Sequence, residues 1–330
     1  MSDTSAAFLS EQEVMIRDSA RKVAADVVAA TAAERDRTAA WPRDELKTVG
    51  ELGFLGMLIP EAYGGSGASF VEYCLAIEEF AAADAGFATL IHVHNSLGFA
   101  ISKLGTEAQK HKYLPELASG ERIGAVLLSE PHAGSDTAAF RTTARRDGDH
   151  YVLNGSKQYI SNGSEAGLAM ALCVTDKAAG KNGSSLLLID PREHAGYVVA
   201  RVEEKLGQRS AHVAQIALDN CRVPASNLLG VDGGGYKAIM GLLSEGRVAI
   251  AAVATGAASA ALAVAVKYAK EREAYGAPIM KLQGVAFDLA DMAMKVELAR
   301  NYYRHASLTQ ASGDCFHLVC ANFKNASPLY

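Results

Sequence analysis

Over residues 10–118 the apolar positions recur with a helical period, and from residue 123 the pattern changes. Ser10 followed by Glu13 reads as a capping box. Val14, Ala20, Val23, Ala24, Val27 and Val28 then recur at roughly helical spacing. Pro42, after Trp41, suits the first position of a second helix. Tyr63-Gly64-Gly65-Ser66-Gly67 is a loop, and further helices are predicted over 71–83, 91–104 and 107–118.

From residue 123 short apolar runs alternate with turn signals. The runs are 125–128, 150–153, 158–160, 168–174, 186–189, 197–202 and 214–218. Between them stand Asp147-Gly148, Asn154-Gly155, Asn162-Gly163 and Asn182-Gly183, pairs that favour tight turns with positive φ. This predicts an antiparallel β domain. From residue 224 the pattern is helical again. Residues 236–243 lead into a long alanine-rich helix to Glu273, Gly276 and Pro278 break it, and a last helix is predicted over 283–308. The expected fold class is α+β and multi-domain: an N-terminal helical domain (1–122), a central antiparallel β domain (123–224) and a C-terminal helical bundle (225–330).

Residues 248–266 carry no charge and are long enough to cross a bilayer. They are mostly alanine, with Thr255, Gly256 and Ser259, so a bundle helix is expected instead. Residues 1–10 lack a basic start followed by an apolar run, so no signal peptide is read there. The net charge of −5 offers no basic surface for nucleic acid or an anionic membrane. Cys74, Cys173, Cys221, Cys315 and Cys320 form no CxxC pair or disulfide-like spacing, which suits a reducing, cytoplasmic location. Cys315, His317 and Cys320 give three candidate ligands without a second cluster, so no metal is expected. His92 and His94, two apart on a predicted helix, do not share a face and are read as packed or exposed side chains.

Two segments carry candidate chemistry. In Val126-Leu127-Leu128-Ser129-Glu130-Pro131-His132-Ala133-Gly134-Ser135-Asp136 a strand ends in a hydroxyl, a proline turn and a small-residue loop. Such a loop can offer N–H groups and hydroxyls to a polar ligand over the strand end; alone it is equally a β-turn with a local Ser–Asp hydrogen bond. In Asn154-Gly155-Ser156-Lys157-Gln158-Tyr159-Ile160-Ser161-Asn162-Gly163, Tyr159 and Ser161 are expected on one face of a strand. An aromatic wall and a hydroxyl there suit a flat heteroaromatic ligand; alone they are also an ordinary surface pair.

Taken together the segments resemble the acyl-CoA dehydrogenase family. Pro60-Glu61-Ala62-Tyr63-Gly64-Gly65, Lys205-Leu206-Gly207, Val223-Pro224, Gly235-Tyr236-Lys237 and Gly246-Arg247-Val248-Ala249-Ile250-Ala251 are similar to its motifs in the same order. Arg272-Glu273-Ala274-Tyr275-Gly276-Ala277-Pro278-Ile279, with Gln283, resembles its Arg-x-x-Phe-Gly-x-x-Ile motif and the Gln after it. The resemblance runs over residues 9–308.

It implies FAD as cofactor, an acyl-CoA substrate, electron-transfer flavoprotein as electron acceptor and a homo-oligomer, a tetramer or dimer. The flavin ring would rest on Val126, Leu128 and Ser129, with Ser161 near its N5 and Tyr159 over one face. Tyr159 stands where the family usually has Trp, and Ser129 and Ser161 where it often has Thr. Arg272 would reach the FAD phosphates of a neighbouring subunit, and Tyr275 and Gln283 would line the same site. Ser135 would contact the CoA arm, and Ser244 and Arg247 would lie near the acyl thioester. Removing a weakly acidic α-proton needs a placed carboxylate and a stabilised enolate oxygen, while the β-hydrogen leaves as hydride.

The sequence departs from the family at three places. The family continues beyond Tyr330 with a Gln-x-x-Gly-Gly segment and a catalytic Glu in a Glu-Gly-Thr motif, so no catalytic residue is assigned within these residues. Some members place the base immediately before the arginine matched by Arg247; Gly246 stands there, and Glu245, one residue earlier, faces another direction on a helix. Residues 313–330, with Pro328, do not resemble the family's helix. Ser210-Ala211-His212-Val213 stands where the family usually shows Ser-Asp-Thr, and Ala211 and Val213 carry no hydroxyl. The competing readings are an acyl-CoA oxidase or flavin monooxygenase on the same scaffold, and a scaffold protein without turnover.

Overall fold

A computed structural model describes residues 9–312. Cys315, His317, Cys320 and Pro328 lie outside the described residues. The chain divides into two compact units, one of Met1–Ala32, Ser69–Thr89 and Arg247–Tyr330, the other of Ala33–Ala68 and Leu90–Gly246. The elements are α1 (Glu11–Val23), α2 (Ala29–Thr38), α3 (Arg43–Glu51), α4 (Phe70–Ala83), α5 (Ala85–Leu104), α6 (Glu107–Ser119), β1 (Gly124–Leu127), β2 (Thr143–Asp147), β3 (His150–Ser161), β4 (Leu168–Val174), β5 (Ser184–Ile189), β6 (Tyr197–Val202), β7 (Val213–Pro224), β8 (Leu228–Leu229), α7 (Gly235–Glu271), β9 (Glu273–Ala274), β10 (Ala277–Pro278) and α8 (Gln283–Ser312). Helices, a sheet and helices thus follow one another as expected.

The helix starts follow their capping signals. Ser10 accepts from Glu13 N–H at 3.2 Å while its own N–H donates to the Glu13 carboxylate at 2.7 Å. Ser69 with Glu72 and Thr106 with Gln109 repeat this box at α4 and α6. Pro42 caps α3 rather than opening it, accepting the Leu46 N–H at its carbonyl. α7 ends at Glu271, because Arg272 N–H closes on Tyr268 and the chain then turns into the β9–β10 hairpin.

In the first unit α1 and α8 pack on α4. α7 lies close against α4 at Gly256, where a Cβ would stand 2.1 Å from the Glu78 carbonyl oxygen, so only glycine fits. Glu78 is the polar centre of this unit. It accepts from Arg300 Nε at 2.7 Å and from the Tyr303 hydroxyl, and Arg304 lies 3.8 Å away. Arg300 also donates to Ser259 of α7 at 3.1 Å. Over 248–255 α7 is buried at Val248, Ala249, Ala251, Ala252, Val253 and Thr255. By length and hydropathy it is the one described helix that passes for a membrane span.

In the second unit the strands run β6-β7-β3-β2-β4-β5-β8, with β1 paired to β4. The sheet is antiparallel apart from β1–β4 and a short β2–β4 contact, which are parallel. Both faces are covered. Leu168, Met170, Leu172, Leu186 and Leu188 pack with α5 and α6 residues such as Leu97 and Leu117. Ala169, Ala171, Cys173, Leu187 and Ile189 pack with β3 and β7 residues such as Leu153, Ile216 and Cys221. Two buried faces explain why β4 and β5 read as unbroken apolar runs. Cys74 and Cys221 are also buried, and burial pushes the Cys173 thiol up to about 12 and that of Cys221 to about 11.

One expectation about turns needs correction. Asp147-Gly148 does turn, joining β2 to β3 with Gly148 at φ 61°. Asn154-Gly155 does not: β3 runs straight through it with a bulge. A Cβ on Gly155 would meet Thr142 at 2.5 Å, so its glycine serves a close approach of backbone. β2, with Arg145 and Arg146 exposed, has too little apolar content to announce itself.

His94 ties α5 to the sheet. Its Nδ1 accepts from Gly124 N–H at 3.0 Å and its Nε2 donates to the Leu117 carbonyl at 2.9 Å. Burial lowers its pKa to about 4, against the hydrogen bonds to backbone carbonyls. Above pH 6.5 neither the folded nor the unfolded chain protonates it, and stability is full. Between pH 6.5 and 4 the unfolded chain takes the proton first, so stability falls. From pH 7 to pH 5 this costs about 2 kcal/mol. Urea unfolding at the two pH values checks it: His94→Asn should show a smaller loss, and an equal loss would refute the assignment.

Candidate functional site

The two chemistry-bearing segments meet in the second unit. The Gln158 N–H donates to the Ser129 carbonyl at 2.9 Å, joining the end of β1 to β3. Ala125 and Leu127 point into the core between β3 and β7, whereas Val126 and Leu128 pack half-buried on the other face. Alternation in β1 therefore produces a partly exposed apolar shelf that ends at the half-buried Ser129.

A buried ion pair holds this shelf. Lys157 is fully buried and donates to the Glu130 carboxylate at 2.8 Å, to the Leu172 carbonyl at 2.8 Å and to the Leu128 carbonyl at 3.2 Å. Glu130 also accepts from the N–H groups of Arg141 at 2.7 Å and Thr142 at 3.0 Å. Burial opposes its charge, but Lys157 and these donors outweigh it and hold the carboxyl below its usual range. Glu130 and Ala133 exchange backbone hydrogen bonds around Pro131 and His132, which sets the turn leading to Ser135. Sequence reasoning gave this pair no role. No local signal marks it: Glu130 sits in the turn after β1 beside Pro131 and His132, and Lys157 lies between the polar Ser156 and Gln158.

Tyr159 and Ser161 do not share a face through simple alternation. A bulge lies between Lys157 and Ile160, so Gln158 and Tyr159 oppose the single residue Gln215 of β7. A second bulge in β6, between Val199 and Arg201, abuts the same Gln215. Tyr159 takes the left-handed conformation (φ 59°) and is 67% exposed. Ile160 returns to the core, which leaves Ser161 half-buried on the same side as Val126 and Leu128. Asn162, also left-handed at φ 63°, anchors the strand end by donating to the carbonyls of Leu90 at 3.1 Å and Gly124 at 2.9 Å.

The segment lacking the family's hydroxyls is structural. The His212 carbonyl accepts the Asn162 N–H at 3.1 Å, its Nε2 donates to the Ala39 carbonyl at 2.9 Å, and its ring packs on Trp41. A cavity of about 690 Å³ lies beside Trp41, Arg43 and Glu165, away from the shelf. Its lining sets Arg43, Lys47 and Arg192 against Glu51, Glu121 and Glu165, so it offers no net charge to a ligand.

The other expected site residues are placed as follows. Ser135 is exposed in the loop after β1. Ser244 is buried on α7 and donates to the Met240 carbonyl at 3.1 Å; Arg247, one turn further on, is exposed. Arg272 and Tyr275 belong to the β9–β10 hairpin of the first unit, and Gln283 opens α8, all three exposed. Tyr275 and Gly276 both have positive φ (53° and 74°), and the tyrosine ring is 96% exposed at the tip. The structure thus brings together Val126, Leu128, Ser129 and Ser161, with Tyr159 beside them, and sets Arg272, Tyr275 and Gln283 on a separate unit. The shelf fits a flat isoalloxazine ring: apolar side chains under one face, hydroxyls at its edge and an aromatic residue held outward by backbone conformation. Among the described residues no group of His, Cys, Asp and Glu could hold a metal ion.

The N-terminal, middle and C-terminal domains of acyl-CoA dehydrogenase match residues 10–121, 125–221 and 233–327. The mitochondrial short-chain specific acyl-CoA dehydrogenase of Mus musculus is 41% identical over 293 residues, 88% of this chain and 71% of that protein. Butyryl-CoA dehydrogenase from Megasphaera elsdenii superposes with a TM-score of 0.92 at 36% identity, covering 96% of this chain and 84% of that one. A structure described as the electron transferring flavoprotein of Acidaminococcus fermentans matches with a TM-score of 0.93 at 41% identity, over 96% of this chain and 83% of that one. The family's cofactor is FAD. With its three domains in order and the shelf, bulge and hairpin that the motifs encode, the chain belongs to the acyl-CoA dehydrogenase family, a family of oxidoreductases.

Proposed function

We propose that the protein binds FAD and dehydrogenates an acyl-CoA thioester between its α and β carbons, passing the electrons to an electron-transfer flavoprotein. The observation that carries this reading is the shelf of Val126 and Leu128, closed by the Ser129–Gln158 hydrogen bond next to Ser161. Bound FAD would supply the hydride acceptor. The chain's residues would orient it: Val126 and Leu128 would set the plane of the ring, Ser129 and Ser161 would bond its edge, and Tyr159 would cover it. Ser135 would hold the CoA arm, and Ser244 and Arg247 would border the thioester. The likeness to the Acidaminococcus fermentans structure supports the flavoprotein partner.

A homo-oligomer is supported by the apolar residues left uncovered on α7 and α8, among them Val264, Tyr268, Phe287, Met294 and Leu298. An exposed tyrosine and arginine on the β9–β10 hairpin suit contact with a second subunit's FAD phosphates. The three described cysteines, buried and free of disulfides, suit a reducing cytoplasm. The purified protein is expected to be yellow, to be bleached anaerobically by butyryl-CoA, and to be reoxidised faster by electron-transfer flavoprotein than by air. Faster reoxidation by air would favour an oxidase. A yellow protein that no acyl-CoA bleaches would refute turnover.

A further inference from the structure

We propose that the cavity beside Trp41 binds a zwitterionic α-amino acid with a large apolar side chain, its ammonium on Glu165 and its carboxylate on Arg43. The cavity lies wholly within the second unit, and the proposal stands independently of the dehydrogenase reading. Its volume of about 690 Å³ is in the range of small-molecule sites. α3, the C-terminal end of α6 and the turn between β3 and β4 all contribute to its walls. Leu46, Ile123 and Ala166 supply apolar surface beside the Trp41 indole. Such a wall takes a hydrocarbon or aromatic body, with a few polar groups left to fix its orientation.

Two charged side chains of the lining have bonding capacity to spare. Glu165 is half-buried, and among the described residues its carboxylate accepts a single long hydrogen bond, 3.5 Å from Arg43. The neighbouring imidazole adds no donor. His212 gives its Nε2–H to the Ala39 carbonyl, so in the neutral ring Nδ1, 3.5 Å from Glu165, carries a lone pair and has no partner. Arg43 is exposed and presents a fork of N–H donors, of which Glu165 takes one. An acceptor and a donor thus stand side by side. An α-amino acid carries its ammonium and carboxylate on one carbon, so the two groups can meet them together while the side chain reaches Trp41. A ligand with only one of these charges would set it against a like charge: an amine against Arg43, a carboxylate against Glu165. The balanced charges of the lining likewise favour a ligand of no net charge.

Trp41 is the chain's single tryptophan, so its emission reports on this cavity. The test titrates the purified full chain with L-phenylalanine, 3-phenylpropionate and 2-phenylethylamine, which share the aromatic body and differ in the charged head. L-Phenylalanine is expected to change the emission saturably with a Kd of about 1 mM. Each analogue should bind about tenfold more weakly. Arg43→Gln should weaken L-phenylalanine by about tenfold without weakening 2-phenylethylamine, and Glu165→Gln should weaken it without weakening 3-phenylpropionate. That crossed pattern separates the two head-group contacts from a general change in the cavity. Arg43 is exposed, so Arg43→Gln decides the matter even if Glu165→Gln does not fold. No saturable change with L-phenylalanine, or an analogue that binds within about twofold of it, would overturn the proposal.

Discussion

Replacing Glu130 by alanine is expected to cost about 3–5 kcal/mol of stability and to loosen the shelf between β1 and β3. The substitution leaves the Lys157 ammonium fully buried with only two carbonyls as partners. It also strips the N–H groups of Arg141 and Thr142 of their acceptor. An unpaired charge in a dry interior costs far more than the pair contributed, because desolvation is no longer offset. Lys157→Met should cost less. It leaves the carboxylate its two backbone donors and room to protonate, and it replaces the ammonium with an apolar chain of similar length. Urea unfolding of the two single variants, followed by far-UV circular dichroism, gives the order. A Glu130→Ala variant as stable as Lys157→Met would remove the ion pair from its place as the anchor of this loop.

The second large effect lies in the other unit. Glu78→Ala should destabilise by about 3–5 kcal/mol, since Glu78 alone faces Arg300, Arg304 and Tyr303 from α4. All four side chains are largely withdrawn from solvent, so water cannot replace the carboxylate. Arg300 would keep Glu297 and Ser259, but Tyr303, at no exposure, would lose its acceptor. Glu78→Gln keeps one acceptor and should fall between. The measurement is the thermal midpoint of the three proteins, with loss of α-helical signal as the readout. Equal midpoints for Glu78→Ala and the native protein would show that the cluster is not holding α8 to α4.

Much of the fold was legible because the local signals agreed. The capping box at Ser10 announced α1, the helical pattern announced α4 and α6, and apolar runs marked β4, β5 and β7. β2 was missed because it is short and charged, and Asn154-Gly155 misled because glycine there serves the contact with Thr142 rather than a turn. The shelf residues were found from motif order, and periodicity alone correctly separates Val126 and Leu128 from Leu127. The placement of Tyr159 was not legible: a bulge depends on the partner strand, and Gln215 faces one on either side. Glu130 and Lys157 stand 27 residues apart, and only the folded sheet brings them together.

The three described cysteines have one more consequence. Sulfur reacts with oxidants as thiolate, and its rate follows thiolate fraction and access. Cys74, Cys173 and Cys221 have neither, since each is enclosed and burial keeps each protonated. By placing these thiols inside its cores, the described part of the chain keeps them from being oxidised to sulfenic acid and from exchanging with glutathione.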